Sequence, residues 1–135
     1  MTGLKDLHIV IAEDDTDDGE IILQSFEKHM AFIKVDLVKN GQELLDYLKE
    51  NTRVPDIILT DINMPILNGI EALKRIFESP DLNQIPAFVY STTINPTYEA
   101  RCIELGTKGF LVKPFSLKGF DDIPQKIVDI LVADE

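Results

Sequence analysis

Four apolar runs in this chain end in groups that can do chemistry together. Ile9-Val10-Ile11-Ala12 runs into Glu13-Asp14, Ile57-Ile58-Leu59-Thr60 into Asp61, Ala87-Phe88-Val89-Tyr90 into Ser91, and Phe110-Leu111-Val112 into Lys113. Each ending means little alone, because a single Asp after a strand is usually a turn former or a helix cap. Gathered at one place they make a defined chemistry. The carboxylates of Glu13, Asp14 and Asp61 repel one another, and one of them holds a proton unless a cation intervenes. Oxygen-only ligands on a shallow rim suit Mg²⁺, which keeps several waters and binds few carboxylates. With the cation in place Asp61 stays ionised and can act as a nucleophile toward phosphorus. Mg²⁺ and the Lys113 ammonium then stabilise charge on the phosphoryl oxygens, and the Ser91 hydroxyl can donate to one of them.

Positioning these groups requires strands that all end at one edge. The run at Ile9 to Ala12 is β-branched and does not alternate, which describes a strand buried on both faces. Ile57 to Thr60, set between Pro55 and Pro65, reads the same way. Ile33, Val35 and Leu37 alternate as a further strand that Val38 extends, and the runs at Ala87 and Phe110 complete the set. Between them lie helical patterns: Ile21, Ile22, Phe26 and Met30 after a cap at Asp15 or Thr16; Leu44, Leu45 and Leu48 after Asn40-Gly41; Ile70, Leu73, Ile76 and Phe77 after Asn68-Gly69. Asn95-Pro96 is a cap with a first-position proline, and Leu105-Gly106 closes that helix. Ile127, Ile130 and Leu131 mark the last helix. Gly119 and Pro124 place its regular start near Asp121 to Pro124, after an irregular or single-turn segment from Ser116, because proline costs about 3 kcal/mol inside a helix.

Strands alternating with helices predict an α/β domain with a five-stranded parallel sheet. In a doubly wound sheet of order 2-1-3-4-5, flavodoxin-like, the ends carrying Glu13-Asp14 and Asp61 are neighbours at the topological switch point. Lys113 and Ser91 line the adjoining positions.

The composition limits the function classes. At 135 residues the chain is one domain, with 44% hydrophobic and 27% charged residues. The net charge of −11, from 13 basic and 24 acidic residues, argues against direct nucleic-acid binding. No run has the length of a membrane span, and no signal-peptide pattern opens the chain. Cys102 stands alone and suits a reducing cytoplasm. Neither a linker nor an internal repeat interrupts the chain, so a single domain over 1–135 without an output domain is expected.

The stretches IVIAEDD, IILTDINMPILNG, FVYST and GFLVKPF, in this order and spacing, resemble the receiver domain of two-component response regulators, in particular the stand-alone chemotaxis receivers. The resemblance spans roughly Leu7 to Leu131. It implies that Asp61 is the phosphoacceptor, that Asp14 ligates Mg²⁺ directly and Glu13 through water, and that Asn63 contributes its backbone carbonyl. It also implies that Ser91 is the switch hydroxyl, Phe110 the switch aromatic, and Lys113 the phosphoryl contact, with a cis Lys113-Pro114 bond. The partners it implies are a histidine kinase or a histidine phosphotransfer protein, and a downstream protein target. Three positions depart from the pattern: Thr92 where a small residue is usual, Thr107 in place of Ala, and the Gly119–Pro124 interruption of the last helix.

Three other readings remain to be weighed. A haloacid-dehalogenase-like phosphatase needs a second Asp two positions after the nucleophile, where this chain has Asn63. A flavodoxin needs a Ser/Thr/Gly-rich phosphate loop after the first strand, where Glu13-Asp14-Asp15 would repel an anion. A receiver that acts as an interaction module without phosphorylation is separated only by a phosphorylation assay. The expectation is a protein that promotes its own aspartyl phosphorylation and dephosphorylation rather than a conventional enzyme.

Overall fold

The computed structural model describes residues 4–50, 53–92 and 95–134. Five strands alternate with five helices: β1 Leu7–Ala12, α1 Thr16–Lys28, β2 Phe32–Val38, α2 Gly41–Glu50, β3 Ile57–Asp61, α3 Gly69–Glu78, β4 Ala87–Ser91, α4 Pro96–Leu105, β5 Gly109–Val112 and α5 Leu117–Ala133. The sheet has the order β2-β1-β3-β4-β5 and every neighbouring pair is parallel. The expected topology is the observed one.

Both faces of the sheet are covered, which explains why the central strands do not alternate. Ile9, Ile11, Ile57, Leu59, Phe88 and Tyr90 pack beneath Ile22 and Phe26 of α1 and Phe120, Ile123 and Ile127 of α5. On the other face Val10, Ile58 and Val89 pack against Leu44 and Leu48 of α2, Leu73 and Ile76 of α3, and Cys102 of α4. At roughly 1.5–3 kcal/mol for each large apolar side chain removed from water, these two layers dominate the favourable side of folding. Among the described residues no helix is long and apolar enough to cross a membrane.

Side-chain caps set the helix starts. Asp15 Oδ1 accepts from the Asp18 N–H at 2.8 Å, Asn68 Oδ1 from Glu71 at 2.9 Å, and Asn95 Oδ1 from Thr97 at 3.0 Å. Gly106, at φ 109°, closes α4 in the left-handed conformation that glycine adopts most readily.

Met30, expected on the apolar face of α1, lies beyond its end at Lys28 and is exposed. Two further expectations are overturned. The first is the start of the last helix: α5 is regular from Leu117, with Pro124 inside it. Ser116 caps it, accepting from the Gly119 N–H at 3.1 Å. Phe120, Ile123, Pro124, Ile127 and Val128 are all buried along its inner face. Burying that stripe, at roughly 1.5–3 kcal/mol for each large apolar side chain, outweighs the about 3 kcal/mol that Pro124 costs inside a helix. Gly119 belongs to the same packing, because a β-carbon there would stand 2.5 Å from Pro114 Cβ. The second is the Lys113-Pro114 bond, which is trans; no cis peptide occurs among the described residues. Trans is the intrinsically favoured isomer by about 0.5–1 kcal/mol. In this form the Lys113 N–H still reaches the Ser91 carbonyl at 2.8 Å and Pro114 seats against Gly119.

Candidate functional site

Strand register brings the expected groups to one edge. Ala12 pairs with Thr60, Asp61 with Tyr90, and Ser91 with Val112. Glu13, Asp61, Ser91 and Lys113 are therefore successive strand ends along the carboxyl edge of the sheet. The turn after β3 is held by α3. Gly69 N–H donates to the Ile62 carbonyl at 2.8 Å, and Gly69 passes so close to the Asp61 carbonyl that no β-carbon fits between them. Thr60 Oγ1 donates to that same Asp61 carbonyl at 2.8 Å.

Lys113 is the hub. The residue is 4% exposed, and its ammonium lies 2.7 Å from Glu13 Oε1, 2.9 Å from Asp61 Oδ2 and 3.2 Å from Asp18 Oδ2. Burial on its own favours the neutral amine. The hydrogen bonds and charges of Glu13 and Asp61 outweigh it, so the lysine is held ionised well above its ordinary range. Asp61 is affected in the opposite sense. Its burial chiefly, with the Glu13 charge beside it, raises the carboxyl above its ordinary value. The Lys113 ammonium and the Ile62 N–H, 2.7 Å from Oδ1, oppose that rise only in part.

Glu13 is fully buried and Asp14 exposed. Single oxygens of Glu13, Asp14 and Asp61 lie within 4.8 Å of one another. An all-oxygen set with net negative charge fits a hard divalent cation, which would draw the three acids closer together around it. Asn63 sits exposed two residues past Asp61, lining a cleft between α3 and α4 that Asn68, Glu71, Thr97 and Arg101 also border. Ser91 is buried at the end of β4. Phe110 is half-buried and packs against the layer formed by α2, α3 and α4. Thr92 is exposed, whereas Thr93 of the expected hydroxyl cluster lies outside the described residues.

The sequence reading missed two participants. Asp18 follows no strand and carries no strand-end signal, yet it reaches Lys113 from the first turn of α1. The Asp15 cap was the available signal, since it fixes that turn directly above the strand end. Tyr90 reads as core, and it is fully buried, but its hydroxyl donates to Glu13 Oε1 at 2.7 Å. A tyrosine within an apolar strand must find a partner for its hydroxyl when buried, and that was the clue. Burial, with the adjacent Glu13 carboxylate, keeps the Tyr90 phenol neutral far above the usual tyrosine range.

A family profile described as the response regulator receiver domain matches residues 9–126. This chain belongs to that family. Its relatives include the two-component response regulator ORR3 of Oryza sativa subsp. indica, 33% identical over 107 residues and 79% of each chain. Among solved structures, the receiver resembles the phosphorylated cyanobacterial phytochrome response regulator RcpA, with a TM-score of 0.86, 28% identity and 96% of each chain covered. It also resembles the Mn²⁺-bound form of the response regulator Rcp1, with a TM-score of 0.80 and 27% identity over 90% of this chain and 91% of that one.

Proposed function

We propose that this receiver accepts a phosphoryl group on Asp61 from a histidine kinase or a phosphohistidine carrier, in a Mg²⁺-dependent reaction. It then signals through a downstream protein or by passing the group onward. The observation that carries this reading is the Lys113 ammonium 2.9 Å from Asp61 Oδ2, beside Glu13, Asp14 and Asp61 oxygens that lie within 4.8 Å of one another. Glu13, Asp14 and Asp61 would hold the cation, with the Asn63 backbone carbonyl, and it would supply charge neutralisation at the phosphoryl oxygens.

The residues do the rest. An Asp61 oxygen forms the new O–P bond as the P–N bond to the donor imidazole breaks, its electron pair going to the ring nitrogen. Lys113 moves its ammonium from the carboxylates toward a phosphoryl oxygen, Ser91 turns its hydroxyl to another, and Phe110 fills the space vacated beneath β4. The buried, single Cys102 is in keeping with work in a reducing cytoplasm. The domain acts as a phosphorylated switch and not as a conventional enzyme.

Incubation with acetyl phosphate or phosphoramidate, and with a cognate kinase where small donors react slowly, tests the assignment. A label that is labile to base and hydroxylamine, needs Mg²⁺ and disappears in Asp61→Asn is expected. Undiminished labelling of Asp61→Asn, or stable labelling at Ser91, would overturn it.

A further inference from the structure

Tyr90 touches both halves of the site. Paired with Asp61 in the sheet, it places its hydroxyl 2.7 Å from Glu13 Oε1 and the face of its ring 5.0 Å from the Lys113 Nζ. Lys113 Nζ lies 2.7 Å from that same Glu13 oxygen. The other oxygen, Oε2, accepts the Asp15 N–H at 3.1 Å. The fully buried Glu13 carboxylate is therefore held by three donors: a backbone amide, an ammonium with a second task, and a neutral phenol with none.

We propose that Tyr90 is a positioning residue of the cation site: it fixes the Glu13 carboxylate through its hydroxyl and steadies the Lys113 ammonium on its ring. This inference rests on the phosphoacceptor reading of Asp61 and assigns Tyr90 a part in it. When Lys113 follows a phosphoryl oxygen, the buried Glu13 carboxylate loses a donor, and an unsatisfied polar group is costly in the interior. The phenol remains on Glu13 and prevents that. Because the phenol is neutral, it orients the acid without repelling an approaching cation, which a Lys or Arg at this place would do. Phe at the same place keeps the ring beneath Lys113 and removes only the hydroxyl. Its effect on the cation therefore isolates the bond to Glu13.

Mn²⁺ serves as the probe, titrated into the whole domain and followed by electron paramagnetic resonance. Tyr90→Phe is expected to weaken Mn²⁺ binding about tenfold, the lower end of the loss typical for a partner that orients a metal ligand. In a Glu13→Gln background the same substitution should change binding by less than about twofold, because Tyr90 acts through that carboxylate. A purely structural role for Tyr90 would produce similar losses in both backgrounds. As a measurement on the intact side chain, the protein is labelled with 3-fluorotyrosine and the Tyr90 resonance assigned by elimination with Tyr47→Phe and Tyr98→Phe. That resonance should shift on Mn²⁺-free titration with Mg²⁺, and should be unresponsive in Glu13→Gln. Wild-type Mn²⁺ affinity in Tyr90→Phe, or a Tyr90 resonance that Mg²⁺ does not move, would overturn the inference alone. A wild-type protein that binds neither cation would overturn it together with the phosphoacceptor reading.

Discussion

Lys113 Nζ stands 2.9 Å from Asp61 Oδ2, although 52 residues of chain separate them. The contact is attractive, yet Asp61 is left with its carboxyl raised, because burial and the neighbouring Glu13 charge together exceed what one shared ammonium returns. Ionised Asp61 is thus a strained component of the metal-free fold. A group whose folded value lies above its unfolded value favours folding at low pH, and that contribution is lost as pH rises through the folded value. Asp61→Asn cannot ionise, so its stability advantage over the wild type should grow from the ordinary carboxyl range upward and level off above the raised value of Asp61. In metal-free buffer at pH 7 we expect a melting temperature higher than that of wild type. A gain that is the same at pH 3 and pH 7 would contradict the assignment.

The ammonium itself is expected to be costly to remove. Lys113→Met keeps much of the volume but leaves Glu13 fully buried without its counter-charge, a type of loss worth roughly 3–5 kcal/mol. The melting temperature of this variant in chelator should fall by about 10 °C or more. Mg²⁺ should then raise it further than it raises the wild type, because the variant has no ammonium competing for the same oxygens. A smaller Mg²⁺ response in Lys113→Met than in wild type, measured by thermal unfolding at matched metal concentrations, would count against the shared-oxygen arrangement.

The layout of this site was readable from sequence for a geometric reason. Parallel strands finish on one edge, so Glu13, Asp61, Ser91 and Lys113 could be assembled from strand ends without knowing any side-chain position. Unbroken apolar runs fixed the central strands, and Asn68, Asn95 and Gly106 fixed helix boundaries, because each signal is local. What depends on distant partners was not readable. The Tyr90 hydroxyl meets an acid 77 residues away. The start of α5 turned on whether Phe120 and Ile123 would be buried, and that tertiary gain overrode the local signals of Gly119 and Pro124.

Ile66, just past Pro65 in the loop after Asp61, has φ 70° while its side chain is 81% exposed. A left-handed backbone costs an L-residue about 1–2 kcal/mol, and a β-branched side chain is among the least suited to it. The Leu67 N–H donates to the Pro65 carbonyl at 2.7 Å and closes a three-residue turn centred on Ile66. Ile66→Gly, which adopts a positive φ with no β-carbon to clash, should stabilise the fold by about 1 kcal/mol, seen as a rise of a few degrees in melting temperature. An unchanged or lower value would mean that the backbone there relaxes freely.

The cation can be tested apart from phosphorylation through Asp14. This acid is exposed, so its charge contributes to the cluster while its side chain contributes little to packing. In chelator Asp14→Asn should be at least as stable as wild type, because it removes one of three mutually repelling carboxylates and little packing. Binding to the folded state alone adds about 1.4 kcal/mol when Mg²⁺ reaches tenfold its dissociation constant, which should lift the wild-type melting temperature by several degrees. At the same Mg²⁺ concentration Asp14→Asn should show less than half that rise, having lost one of the clustered carboxylates. Asp17→Asn serves as the control, because Asp17 is an equally exposed acid in the first turn of α1 that stands outside the cluster. It should keep the full Mg²⁺ response. Equal responses in all three proteins would mean that Mg²⁺ acts through the general acidity of the surface and not through a site built from Glu13, Asp14 and Asp61.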